Sequence, residues 1–476
     1  MLRRLLRVGA ALAATGLCGV ALVLWAYRFP LVAVPAQADV AFVDVTVVNP
    51  GGGRDAHRTV TVAGDRIASI ADAGAGGAAR FAGTFVLPGL IDMHVHHPPG
   101  RVVRDVRLFD LLYLAHGVTS VRDTGGFDDS IWTVRREIEQ GSYPGPRIFA
   151  CGPFLDGDPP VWPGSRVVRT AADARAAVAA VAAAGADCVK VYERIAPDVL
   201  AAVRAAAAER RLPVVGHVPG AVPFEAARLA DVQHLTGVAP GPRSVADFVA
   251  QEAAAWRALD DARIDFVVRT SRAQGIAHTP TLVVWQRMAA LADPAALRAD
   301  PTAHLLPRYY REIVWHQDPR LGFRALEATL PKRAEVVRRL HDAGVRIHAG
   351  TDTLSPFVVP GASLHEELRL LVQAGLTPEE AWVAATRDAG VSLGRPGLGT
   401  VAVGAPADLL VFRADPTRDL ANLGTLEGVV AQGRFYPRAM LDAAVARYRA
   451  AFDGPVADAV SMALTRLFAG TLPKPQ

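Results

Sequence analysis

The chain has 476 residues, 51% of them hydrophobic and 21% charged, with a formal net charge of +4. That apolar content supports a large core and argues against disorder. No block of Lys and Arg stands out beyond the N-terminus, so nucleic acid is a poor partner. The length suits two or three domains, or one α/β barrel of about 250 residues with additions.

Arg3, Arg4 and Arg7 precede an uncharged run over residues 8–27. A run of about 20 residues can cross a bilayer as a helix. The basic flank orients its N-terminus toward the cytoplasm, and Trp25, Tyr27 and Arg28 form an interfacial end. Residues 1–38 therefore read as an inner-membrane anchor that leaves the rest of the chain exported, on the periplasmic or extracytoplasmic side. Ala36-Gln37-Ala38 has the form of a signal-peptide cleavage site, which is the alternative reading.

After this segment, stretches 40–48, 58–63 and 66–70 alternate apolar and polar residues around the Asn49-Pro50-Gly51-Gly52-Gly53 break. This is the pattern of short strands with turns. It returns at 399–412 and 428–436, so residues 39–85 and 397–436 predict one small β-sandwich domain built from both flanks. Between them, residues 86–396 hold eight short apolar runs, 85–94, 118–123, 147–151, 187–192, 213–217, 231–234, 276–284 and 345–352, separated by helix-like segments such as 171–184 and 197–211. Strand–helix alternation implies parallel strands with right-handed crossovers. Eight units fit a (β/α)8 TIM barrel, an α/β fold, with a doubly wound sheet as the competitor. Long connections at 237–274 and 285–344 are expected to cover the active face. Residues 437–476 read as a helical C-terminal tail. Cys18, Cys151 and Cys188 are too few for a disulfide framework or a cysteine metal site and read as buried small hydrophobes.

The chemistry concentrates at strand ends. His94 and His96 close the first barrel strand, and residues two apart on a strand point the same way. Lys190, His217, His234 and Asp352 sit near the C-terminal ends of strands four, five, six and eight. That end is the catalytic mouth of a TIM barrel, so six potential ligands converge there. Tyr192, Arg122 and His278 also lie near strand ends and are candidate substrate contacts. Each has a plainer reading: a rim residue, an ion-pair partner of Asp123 or another acid, and a group supporting a ligand.

The segment 85–96, with Pro88-Gly89-Leu90-Ile91-Asp92-Met93-His94-Val95-His96, resembles the opening motif of the amidohydrolase superfamily. Gly117-Val118-Thr119-Ser120-Val121-Arg122-Asp123 is similar to its second strand, and Ala407-Asp408-Leu409 to its return into the β domain. The resemblance covers residues 39–436 and is to the binuclear type with a carboxylated lysine, above all imidazolonepropionase-like and prolidase-like (Xaa-Pro dipeptidase) members. It implies that His94, His96 and Asp352 hold one divalent metal and His217 and His234 a second, with Lys190 bridging them as a CO2-derived carbamate. Zn2+ is the default, with Mn2+, Co2+ or Fe2+ as alternatives.

The activity so implied is hydrolysis of a C–N amide bond, in a dipeptide or N-acyl amino acid, by a metal-bridged hydroxide, with Asp352 moving the proton. Mononuclear deaminases resemble the fold but place a Glu two residues past the fifth-strand His, where this chain has Pro219. Two rivals remain at this stage: a lactone or phosphoester hydrolase on the same site, and a membrane-tethered metal-binding protein without catalysis. The oligomeric state, a homo-oligomer included, stays open.

Overall fold

A computed structural model describes residues 16–19, 21, 32–37, 39–74, 81–99, 106–126, 128–239, 247–318 and 321–468. Apolar residues alternate along β1 (Val40–Asn49), β2 (Gly53–Ala63) and β3 (Arg66–Asp72), and β4 (Phe85–Pro88) follows. The barrel strands come next: β5 (Leu90–Val95), β6 (Val118–Asp123), β7 (Arg147–Ala150), then the short β8 (Leu155–Asp156) and β9 (Arg166–Val167), then β10 (Val189–Val191), β11 (Val214–Gly216), β12 (Asp231–Gln233) and β13 (Ala277–Thr279). The chain returns to the first sheet with β14 (Leu409–Phe412), β15 (Leu426–Ala431) and β16 (Arg434–Pro437).

Both flanks join one sheet of seven strands, in the order β16-β15-β14-β4-β1-β2-β3, where two stacked sheets were expected. Strands in a flat sheet lie about 4.8 Å apart, so β1 and β16 would be far from each other. Instead Phe42 on β1 and Phe435 on β16 approach to 5.6 Å between ring centroids, with Phe81 at 5.4 Å from Phe42. The sheet therefore curls around its own apolar face, and Phe42, Val60, Val62, Val86, Leu409 and Val411 fill the inside. One curled sheet buries what a sandwich would bury between two.

The first predicted barrel strand divides at Gly89. Phe85–Pro88 pairs with β14 in the flanking sheet, whereas Leu90–Val95 pairs with β6 in the barrel. A Cβ on Gly89 would overlap the Thr119 side chain, so the crossover from one sheet to the other needs glycine.

Parallel pairing runs β5-β6-β7 in one ladder and β10-β11-β12-β13 in another. Asp187 N–H donates to Ala150 O at 2.8 Å and joins the two ladders. The eighth run pairs by isolated contacts only. His278 and Ile347 form a parallel bridge on one side, Val95 and Thr353 on the other, and Asp352 N–H donates to His94 O at 2.7 Å. The ring of strands is thereby closed, as a barrel requires.

Helices pack outside by ordinary amphipathic spacing. In Ala171–Ala183 the buried residues are Ala174, Ala177, Val178 and Val181, one stripe at helical period. A capping box of Thr170 and Asp173 sets its start. The tail forms two helices, Arg438–Asp453 and Pro455–Phe468.

The cysteines are not all the separate small hydrophobes expected from the sequence. Cys151 and Cys188 form a disulfide with Cα atoms 4.4 Å apart, while Cys18 is free and exposed. Cys151 follows β7 and Cys188 precedes β10, so the closure of the barrel brings together two thiols 37 residues apart. An odd count of cysteines carries no sign of this. The proposed membrane run, residues 8–27, lies outside the described residues except for 16–19 and 21. Among the described residues no helix is long and apolar enough to cross a membrane.

Candidate metal centre

β5 delivers His94 and His96 to one side, as the two-residue repeat of a strand demands. Their Nε2 atoms are 3.2 Å apart and lie 3.1 and 3.0 Å from the same oxygen, Asp352 Oδ1. The His234 ring is 4.5 Å from that of His94 and 4.9 Å from that of His217. His94, His234 and Asp352 offer ligand atoms within 4.8 Å of one another. His234 and Asp352 both take left-handed backbone, with φ of 57 and 61. Outside glycine this is uncommon and is typically stored at functional sites.

The hydrogen bonds behind the rings decide which nitrogen is bare. His96 Nδ1 lies 2.7 Å from Gly125 O, His217 Nδ1 2.6 Å from Glu193 Oε1, and His234 Nδ1 2.7 Å from Thr281 Oγ1. A carbonyl and a carboxylate can only accept. The Thr281 hydroxyl spends its own proton on Pro280 O at 2.8 Å, so it too accepts from the ring. All three imidazoles therefore carry hydrogen on Nδ1, which in the neutral ring leaves the lone pair on Nε2, the metal-ligating form. Burial drives His94 and His234 well below the usual histidine range, aided by the Lys190 charge. Asp352 is held well below the usual carboxylate range: burial opposes this, but the facing rings of His234, His94 and His96 outweigh it. Neutral imidazoles around an ionised carboxylate form a donor set that fits a divalent cation such as Zn2+.

Lys190 on β10 is 1% exposed, and its ammonium donates to Gln233 Oε1. Its Nζ lies 5.6 Å from the centre of the Tyr192 ring, which packs 4.2 Å from the His217 ring. Burial lowers its pKa to about 7, although Asp352 pulls the other way. All six expected ligands thus converge on one mouth.

The three expected substrate contacts fare differently. Tyr192 stands at the mouth, and its phenol oxygen accepts from Trp162 Nε1 at 2.9 Å. Arg122 is 2% exposed and points into the barrel interior, where it donates to Met93 O, Asp231 Oδ2 and Thr279 Oγ1. It is the ion-pair partner of Asp231 (2.7 Å), which also accepts from His348. His278 is 0% exposed and meets Ser271 Oγ on the outer helix at 2.9 Å. Strand alternation turns Thr279 inward and His278 out, so His278 and Arg122 are corrected from substrate contacts to structural groups.

Glu193, Thr281, Gly125 and Ser355, whose hydroxyl donates to Asp352 Oδ2 at 2.7 Å, escaped the sequence reading. They lie on loops after the strands, where no periodicity marks them. The one available signal was Glu193, an acid directly after the Lys190 strand. His97, next to His96, is locked between Asp123 (2.8 Å) and Asp110 (3.1 Å). Burial opposes its charge, but those two hydrogen bonds raise it to about 10.

Residues 85–435 match the Amidohydrolase family. Imidazolonepropionase of Myxococcus xanthus is 35% identical over 113 residues, covering 22% of this chain and 26% of its own. The curated relatives that the chain matches are spanned over 37% of their length or less. Among solved structures, bottromycin amidohydrolase superposes with a TM-score of 0.70 at 26% identity, over 91% of this chain and 93% of that one. A Xaa-Pro dipeptidase with bound methionine superposes at 0.63 and 20% identity, over 84% and 100% of the two chains, which speaks for the fold. With its family match reaching from the last strand before the barrel to β16, where the chain has returned to the same sheet, the chain belongs to the amidohydrolase family.

Proposed function

We propose that this member of a hydrolytic enzyme family cleaves a C–N amide bond, in a dipeptide or an N-acyl amino acid, with the help of two divalent metals. His94, His96 and Asp352 would hold one, His217 and His234 the other, and Lys190 would bridge them as a carbamate. The single observation that carries this reading is the convergence of four imidazoles and one ionised carboxylate beside a buried amine.

The state of Lys190 supports the carbamate. A neutral amine adds to CO2, forms an N–C bond and releases one proton. Burial of the side chain supports the neutral amine that this needs. An ammonium has no lone pair and cannot ligate a metal, whereas a carbamate offers two oxygens. When bound, the metals supply Lewis acidity and an ionised water near neutral pH. Asp352 can take the proton of the attacking water and pass it to the leaving nitrogen, while Ser355 keeps the carboxylate oriented. The Tyr192 phenol, with its oxygen already accepting from Trp162, has its own proton to donate to the scissile carbonyl oxygen.

We also propose that the protein works outside the cytoplasm, held by its N-terminal apolar segment. The Cys151–Cys188 disulfide supports this, because such bonds persist in oxidising compartments. The test of activity is amine release from a panel of dipeptides and N-acyl amino acids. Release that stops with a chelator and returns with Zn2+ is expected; a fully metal-loaded protein inert on the whole panel contradicts the assignment.

A further inference from the structure

Thr281 stands at the start of helix Leu282–Ala290, where a threonine ordinarily turns its hydroxyl onto the helix's first N–H groups. Here it makes no such cap and takes a left-handed backbone, φ 48 and ψ 53. For a β-branched residue that conformation is a genuine outlier. The hydroxyl is directed elsewhere: it donates to Pro280 O and accepts from His234 Nδ1 at 2.7 Å. The N–H groups it leaves are taken by a different helix. Glu367, on Ala362–Gln373, accepts Leu282 N–H on one carboxylate oxygen (3.0 Å) and Val283 N–H on the other (2.8 Å). Thr281 and Glu367 are each 0% exposed.

We infer that Glu367 is a positioning residue: it caps this helix in place of Thr281, keeps the threonine hydroxyl on His234, and thereby sets how tightly the position served by His217 and His234 holds its metal. The inference rests on the reading that His234 is a ligand. Its physical basis is that an acceptor on Nδ1 fixes the ring's orientation and tautomer and raises the basicity of Nε2. Removing the carboxylate leaves buried N–H donors without an acceptor. The nearest substitute is the Thr281 hydroxyl, which would then leave His234.

The experiment is a Zn2+ titration of the full chain against a competing chelator, with metal content from elemental analysis and folding checked by circular dichroism. Wild type is expected to bind two Zn2+ and His234→Ala one. Thr281→Val and Glu367→Gln should hold the second Zn2+ roughly 10–100-fold more weakly and the first unchanged, with excess Zn2+ restoring both. Thr281→Ser, which keeps the hydroxyl, should retain wild-type affinity. If Thr281→Val and Glu367→Gln bind both ions as tightly as wild type while His234→Ala loses one, the relay is overturned and the site stands. Equal metal content in wild type and His234→Ala overturns the reading beneath it. Should Glu367→Gln fail to fold, the contrast between Thr281→Val and Thr281→Ser decides.

Discussion

Lys190 sits where an ammonium is costly. Burial lowers its pKa to about 7, the nearby Asp352 carboxylate resists, and Arg122 adds to the fall. Its ordinary value is 10.5, so between about 7 and 10.5 the folded chain binds fewer protons than the unfolded one. Stability of the metal-stripped protein should therefore rise with pH across that window, and the cost of burying the charge is complete below it. The same titration governs the carbamate. With 13C-bicarbonate, a carbamate resonance on Lys190 should grow as pH passes upward through about 7; a signal of constant size, or none, would remove the bridge. At Asp352 the carboxylate touches both His94 and His96. Asp352→Asn should keep the fold, since an amide fits the same space, yet lose on the order of 100-fold or more in kcat, the usual worth of a positioned proton carrier. Turnover close to wild type would deny it that role.

At the scale of elements, the barrel is joined at two places where ladder pairing is thin. One is the eighth strand, reduced to single bridges. The other lies between β7 and β10, where the disulfide and the Asp187–Ala150 bond stand in for a ladder. The disulfide closes a loop of 37 residues. Chain entropy gives such a closure about 4 kcal/mol. The double variant Cys151→Ala, Cys188→Ala should lower the denaturant midpoint accordingly, and an unchanged midpoint would show the clamp to be idle. Much at this scale could be read in advance. The eight apolar runs became eight barrel positions because parallel strands buried on both faces are written as continuous apolar stretches. The split at Gly89 was not readable, because the apolar pattern of residues 85–94 passes through it without interruption and only the neighbouring Thr119 makes the glycine necessary.

At the scale of the whole molecule, the six residues proposed as ligands were legible and the groups behind them were not. His94, His96, Lys190, His217, His234 and Asp352 share a rule, the C-terminal end of a strand, that a sequence displays. Glu193, Thr281 and Glu367 obey no such rule. They reach the site through loop geometry and helix packing, over sequence distances as large as 85 residues. Arg122 and His278 satisfied the strand-end rule yet serve the interior and the outer layer, because closeness to a strand's end does not fix which way a long side chain runs.

The arrangement of metals around Lys190 is measured most directly by anomalous diffraction at the zinc absorption edge from crystals grown with Zn2+ and bicarbonate. The expected result is two peaks, one beside His94, His96 and Asp352 and one beside His217 and His234, with density for a carbamate on Lys190 between them. A single peak, or an unmodified lysine beside the metals, would contradict it.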